Sequence, residues 1–167
     1  IYQLLPRLWG NGKTRPKKNG SLKDNGTGKF SDIDKNSLDY IKWLGCSHIW
    51  LTGIIRHSTQ ASEQGCIPSH PQFVKGKAGS PYAICDYYDV NAYLADNPED
   101  RMAEFESLIK RTHDAGLKVI IDFVPNHVSR DYGKVSPVGG HPVLGSEDDK
   151  TVHWKSENDF FYYPGQH

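Results

Sequence analysis

Leu117-Lys118-Val119-Ile120-Ile121-Asp122-Phe123-Val124, followed at once by Pro125-Asn126-His127, is the stretch that decides the fold. It is β-branched and almost continuously apolar, the pattern of a parallel strand covered on both faces. Just upstream, Asn97 and Pro98 offer a cap and a first-turn proline, and Glu99 and Asp100 suit the positive end of a helix. Met102, Phe105, Leu108, Ile109 and Thr112 then mark one helical face, and Gly116 stops it. The same unit occurs once before. Ser31 with Asp34 gives a capping-box-like start, Leu38, Ile41 and Leu44 follow at helical spacing, and Gly45 ends the run. His48–Thr52 (HIWLT) is then long enough for a strand and too short for a helix. Ile1–Trp9 reads as a first buried strand, with Pro6 in its middle. Strand, helix, strand, helix, strand predicts right-handed crossovers and a parallel sheet.

The connections differ in character. From Gly10 to Phe30, six basic residues face the single acid Asp24, which predicts a solvated loop. Residues 53–97 show no clear periodicity, and loops of that length are often functional. From Val128 onward the sequence is polar and irregular until Phe160-Phe161-Tyr162-Tyr163.

Composition narrows the function. The chain has 167 residues, with 20 Lys+Arg against 20 Asp+Glu, so it lacks the basic excess of a nucleic-acid binder. No run approaches the roughly 18 apolar residues that span a bilayer, so no membrane partner is expected. Nineteen aromatic residues give ample material for a core. Cys46, Cys66 and Cys85 cannot all pair within one molecule and show no C-x-x-C spacing. Cys46 reads as a small buried hydrophobe, while a Cys66–Cys85 bond stays open. The chain begins at Ile1, so any targeting segment is expected outside it. Asn19-Gly20-Ser21 and Asn25-Gly26-Thr27 fit the short glycosylation pattern, and the compartment stays open with a lean toward export.

In parallel α/β sheets, ligands gather at the carboxyl ends of the strands. Period two puts Ile120, Asp122 and Val124 on one face of the third strand. An acid in so apolar a strand is costly unless partnered, which predicts an arginine or a backbone donor beside Asp122. Asn126 and His127 follow just past the strand, where polar groups can face a cleft. A phosphate-binding loop is the rival reading of Gly12-Lys13-Thr14, but the glycine it needs five residues earlier is Arg7.

Asp122-Phe123-Val124-Pro125-Asn126-His127 resembles the first signature of the α-amylase family of glycoside hydrolases, D-x-x-x-N-H at the end of the third barrel strand. Ser80-Pro81-Tyr82-Ala83-Ile84-Cys85-Asp86-Tyr87-Tyr88-Asp89-Val90-Asn91 resembles the segment before that family's second barrel helix. Ile1–Trp9 and His48–Ile54 are similar to its first two strands in character and order. The likeness runs from about residue 1 to residue 133.

The resemblance implies an α/β chain, the N-terminal part of a (β/α)8 TIM barrel with about three strand-helix units. Residues 1–127 would be the partial barrel, and 128–167 the start of an irregular domain inserted after strand three. It implies retaining chemistry at α-glucosidic bonds of α-glucans or maltooligosaccharides. Tyr82 would be an aromatic floor for the sugar beside the cleaved bond, and His127 would hydrogen-bond that sugar. Asp122 would orient the catalytic residues from behind, and Asp86 would hold the long loop. Asn126 would ligate a calcium ion, whose other ligands come from elsewhere. The catalytic carboxylates would follow later strands, in the remainder of the same polypeptide. None of the tail acids Glu147, Asp148, Asp149, Glu157 and Asp159 sits in a family motif, so the chain alone is expected to be inactive. The alternative is an amylase-like module, transporter-associated or sugar-binding, that lacks catalysis.

Overall fold

In the computed structural model, the residues described are 1–134 and 138–165. Three parallel strands form the main sheet: β1 (Tyr2–Leu4), β2 (His48–Leu51) and β5 (Lys118–Ile121), in the order β1-β2-β5. Residues Gln3, Trp50 and Ile120 stand side by side across it. Helix α2 (Lys35–Trp43) connects β1 to β2, and α3 (Arg101–Asp114) leads into β5. The sheet is therefore the parallel one that the strand-helix alternation predicts.

Alternation in β2 explains where the core lies. Ile49 and Leu51 are buried, whereas His48 and Trp50 on the opposite face are half-buried. Ile49 and Leu51 join Leu38 and Ile41 of α2 and Phe105 and Leu108 of α3 in one apolar cluster. Phe30 and Phe105 meet there with ring centroids 5.5 Å apart. The other face carries Gln3, Trp50 and Ile120, the side a closed barrel turns inward.

Several sequence expectations need correction. The first strand ends at Leu4, because Leu8 and Trp9 turn back to donate to the Leu5 carbonyl. The loop 10–30 contains a short helix α1 (Leu22–Asn25), with a capping box between Ser21 and Asp24. Helix α2 is capped by Asp34, whose carboxylate accepts from the Ser37 N–H at 2.8 Å, and Ser31 lies in a separate 3-10 turn. No helix follows Thr14 before Leu22, which removes the phosphate-loop geometry.

The largest correction concerns residues 53–97. They hold an antiparallel pair, β3 (Ile55–His57) and β4 (Ile84–Val90). The inward positions of β4 include Asp86 and Asp89, both 3% exposed, so its period was masked by buried acids. Strand β5 is also shorter than expected and is not covered on both faces. Ile121 is 42% exposed and Phe123 is 71% exposed, because β5 is an edge of the sheet among the described residues. The three cysteines are free.

Gly28 shows how tightly the loop after β1 is folded. Its N–H donates to the Arg7 carbonyl at 2.8 Å, and a Cβ there would stand 1.9 Å from the Trp9 carbonyl oxygen. Backbone cannot yield as a side-chain tip can. Gly28→Ala is expected to destabilise by at least the upper end of the about 1–3 kcal/mol typical of overpacking. Urea denaturation checks this, and an unchanged midpoint would mean that the loop is not packed on that turn.

Candidate functional site

The site is built where β2 and β5 end. Gly53 has φ +76°, and a side chain there would meet Leu5 at 3.2 Å and Pro81 at 3.3 Å. Its lack of a Cβ lets Pro81, and with it Tyr82, settle over the carboxyl end of β2. Tyr82 is 48% exposed, a ring with an open face.

The exit of β5 is held against the same region. The Ser129 N–H donates to the Ile84 carbonyl at 2.7 Å, and the Ser58 N–H to the Ala83 carbonyl at 2.9 Å. The Tyr87 hydroxyl donates to the Val124 carbonyl, and its ring lies 5.7 Å from that of Phe123. Tyr82 and the segment Asp122–His127 therefore occupy loops at one end of the sheet, although 40 residues separate Tyr82 from Asp122 in sequence.

Asp122 has a partner, and it is neither an arginine nor a backbone donor. The Trp50 indole N–H donates to its Oδ1 at 2.5 Å. Trp50 stands beside Ile120 in register, so its indole reaches one pleat further, to the residue two along on the same face. Asp122 Oδ2 is buried and lacks a hydrogen-bond partner among the described residues.

Asn126 and His127 are exposed. The Asn126 amide nitrogen lies 3.2 Å from His127 Nδ1. With that amide as donor, a neutral His127 carries its proton on Nε2 and can give it to a hydroxyl. The Asn126 side-chain oxygen is then turned elsewhere. Calcium takes six to eight oxygens. No group of three His, Cys, Asp or Glu that could hold a metal occurs among the described residues.

Asp86 lies deep in β4, where it accepts from the Tyr88 N–H at 2.9 Å and pairs with Arg56 at 4.0 Å. Within the long connection it fastens β4 to β3. Asp89 beside it is gripped by Arg101, whose Nε and Nη2 donate to its two oxygens at 2.7 and 3.1 Å.

Asn91 and His57 were not legible as site residues. Asn91 is 3% exposed and donates to the carbonyls of Gly53 and Ile55 at 3.0 and 3.1 Å, fixing the turn that leaves β2. His57 is 2% exposed. Burial first, and then the nearby Arg7 charge, depress it from 6.5 to about 4. The folded chain thus takes up this proton later than the unfolded chain. Its contribution to stability is complete above pH 6.5 and is lost as the pH falls toward 4, at about 1.4 kcal/mol per unit, about 3 kcal/mol in all. His57→Gln should flatten that part of the stability–pH curve, and an unchanged slope between pH 6.5 and 4 would refute the assignment.

A parallel sheet with crossover helices, and with polar and aromatic groups on the carboxyl-end loops, is the α/β class that β/α-barrels share with doubly wound sheets. Residues 15–163 match the family described as alpha amylase, catalytic domain. Trehalose-6-phosphate hydrolase of Bacillus subtilis is 32% identical over 133 residues, 79% of this chain and 18% of that protein. An alpha-glucosidase of Pediococcus pentosaceus is 26% identical over 163 residues, 98% of this chain and 21% of that protein. The amino acid transporter heavy chain of Mus musculus is 30% identical over 129 residues, 77% of this chain and 14% of that one. Among solved structures, an alpha-amylase of Lactobacillus plantarum superposes with a TM-score of 0.55 at 28% identity, over 79% of this chain and 24% of that one. The chain belongs to the alpha-amylase family. It spans about a fifth or less of the length of these curated relatives, and its three parallel strands are part of that family's barrel.

Proposed function

We propose that the protein carrying this chain is a retaining glycosidase that acts on α-glucosidic bonds of maltooligosaccharides or related α-glucans. The observation that carries this reading is the gathering of Tyr82 and the Asp122–His127 segment at one end of the parallel sheet. In the proposed complex, Tyr82 offers its open ring to the C–H face of the sugar beside the cleaved bond. His127 Nε2–H donates to a hydroxyl of that sugar. Asp122, fixed by Trp50, holds a neighbouring catalytic group through Oδ2, and Asp86 keeps β4 and the Tyr82 loop in place. Asn126 supplies a single oxygen to a calcium site completed by residues outside this sequence. The nucleophile and the general acid/base, about 5–5.5 Å apart in retaining enzymes, come from later strands. Residues 1–127 form the barrel part, and the following segment opens the inserted domain.

A second reading is supported by the 30% identity to a transporter heavy chain. There the barrel would serve as a binding or assembly module without turnover. Incubating the full-length protein with a maltooligosaccharide and following the first-released anomer by NMR separates the two. Initial α-anomer is the expected result. Initial β-anomer would overturn retention, and sugar binding without turnover would favour the module.

A further inference from the structure

A cavity of about 390 Å³ opens between the loop after β1 and the loop that joins β3 to β4, and neither Tyr82 nor His127 lines it. Arg7 enters it from the turn after β1. One guanidinium nitrogen, Nη1, is shut off from solvent and has no hydrogen-bond partner among the described residues. None of the ion pairs among the described residues includes Arg7. A buried donor of this kind is costly unless something meets it.

Tyr93 also lines the cavity and is 4% exposed. Its hydroxyl is approached by the Arg7 guanidinium and, at 3.2 Å, by His57 Nε2. Asn91 holds His57 in place. Its nitrogen must point at the carbonyls of Gly53 and Ile55, and its oxygen accepts from the His57 N–H at 3.2 Å. The same nitrogen lies 2.9 Å from His57 Nδ1. The tautomer of His57 sets which of its Nε2 and the Tyr93 hydroxyl donates in their 3.2 Å contact. Burial raises the Tyr93 hydroxyl well above its ordinary range, so it keeps its proton.

Lys13 and Lys77 stand on the walls, and Glu63 is the acid of the lining. Three cationic side chains and one carboxylate thus line the cavity, around the unpartnered Arg7 Nη1 and the Tyr93 hydroxyl. The volume lies within the ~300–1,000 Å³ range of small-molecule pockets. Guanidinium groups match carboxylate and phosphate geometry better than any neutral partner.

We propose that this cavity binds the anionic group of a small metabolite, a phosphate ester or a carboxylate, with Arg7 Nη1 and the Tyr93 hydroxyl as its buried donors. Lys13 and Lys77 attract the anion from the rim and let its affinity fall with salt. The site stands apart from the proposed catalytic cleft and does not depend on the glycosidase reading.

The test is calorimetric titration of the full-length protein with inorganic phosphate, glucose 6-phosphate, glucuronate and glucose. Glucose 6-phosphate or glucuronate is expected to bind at least tenfold more tightly than glucose, and the better of the two names the anionic group. Arg7→Gln is expected to weaken that binding tenfold or more. Tyr93→Phe and the double variant Lys13→Ala/Lys77→Ala, which spare the Arg7 packing, should each weaken it several-fold. Should Arg7→Gln fail to fold, those two variants decide. The proposal is overturned if no anion binds, if glucose binds as tightly, or if the variants leave affinity unchanged. It is equally overturned if the affinity is lost in His127→Ala instead, which would place the anion in the other cleft.

Discussion

Asp89→Ala is expected to destabilise the fold by about 3 kcal/mol, the lower end of the range for breaking a buried ion pair. The Asp89 side chain is 2% exposed, and it faces Arg101 in a two-pronged contact and Arg56 at 3.5 Å. The Val90 N–H also donates to it at 2.8 Å. Its removal strands the Arg101 guanidinium, whose side chain is 22% exposed, and leaves Arg56, 17% exposed, with Asp86 alone at 4.0 Å. Because these retain some access to water, the lower end is the appropriate figure. The same physics predicts a partial rescue. Removing the charge on both sides, as in Asp89→Leu with Arg101→Met, should recover much of the loss, since the stranded charge rather than the lost attraction dominates. Urea denaturation midpoints of the two variants check both statements. A loss under 1 kcal/mol in Asp89→Ala would show that this pair is solvated and does not fasten β4 to α3.

His127→Ala should lower kcat/KM on a maltooligosaccharide by about a hundredfold while leaving the denaturation midpoint nearly unchanged. Hydrogen bonds to sugar hydroxyls that strengthen at an oxocarbenium-like transition state supply several kcal/mol together, so one of them accounts for about 3 kcal/mol. His127 is exposed, and its one hydrogen-bond contact among the described residues is to its neighbour Asn126, which is why folding should not suffer. His127→Gln, which keeps a donor, should recover part of the rate. A fall in stability with unchanged kcat/KM would make His127 a structural residue and remove it from the proposed cleft.

The sequence by itself determined the parallel three-stranded unit. Apolar periods of 3.6 in α2 and α3 and the β-branched run of β5 are local signals, and each formed the expected type of element, with β5 shorter than its run. Asp122, Asn126 and His127 follow the end of β5, which can be found from the strand alone. Cap positions and strand ends shifted by a few residues, since several residues can cap and only the folded chain selects one: Asp34 took the role that Ser31 was expected to play.

Tertiary structure alone decided the rest, and the physical reason is that pairing satisfies polar groups at a distance. Strands β3 and β4 could not be read because Asp86, Asp89 and Asn91 occupy buried positions that only Arg56, Arg101 and the backbone carbonyls make tolerable. The partner of Asp122 was hidden because strand register, absent from the sequence, brings Trp50 beside it from 72 residues away. The cavity around Arg7 and Tyr93 is likewise made of loops separated by dozens of residues. A side chain's cost of burial is written in its own chemistry, but whether that cost is met depends on neighbours that only the fold supplies.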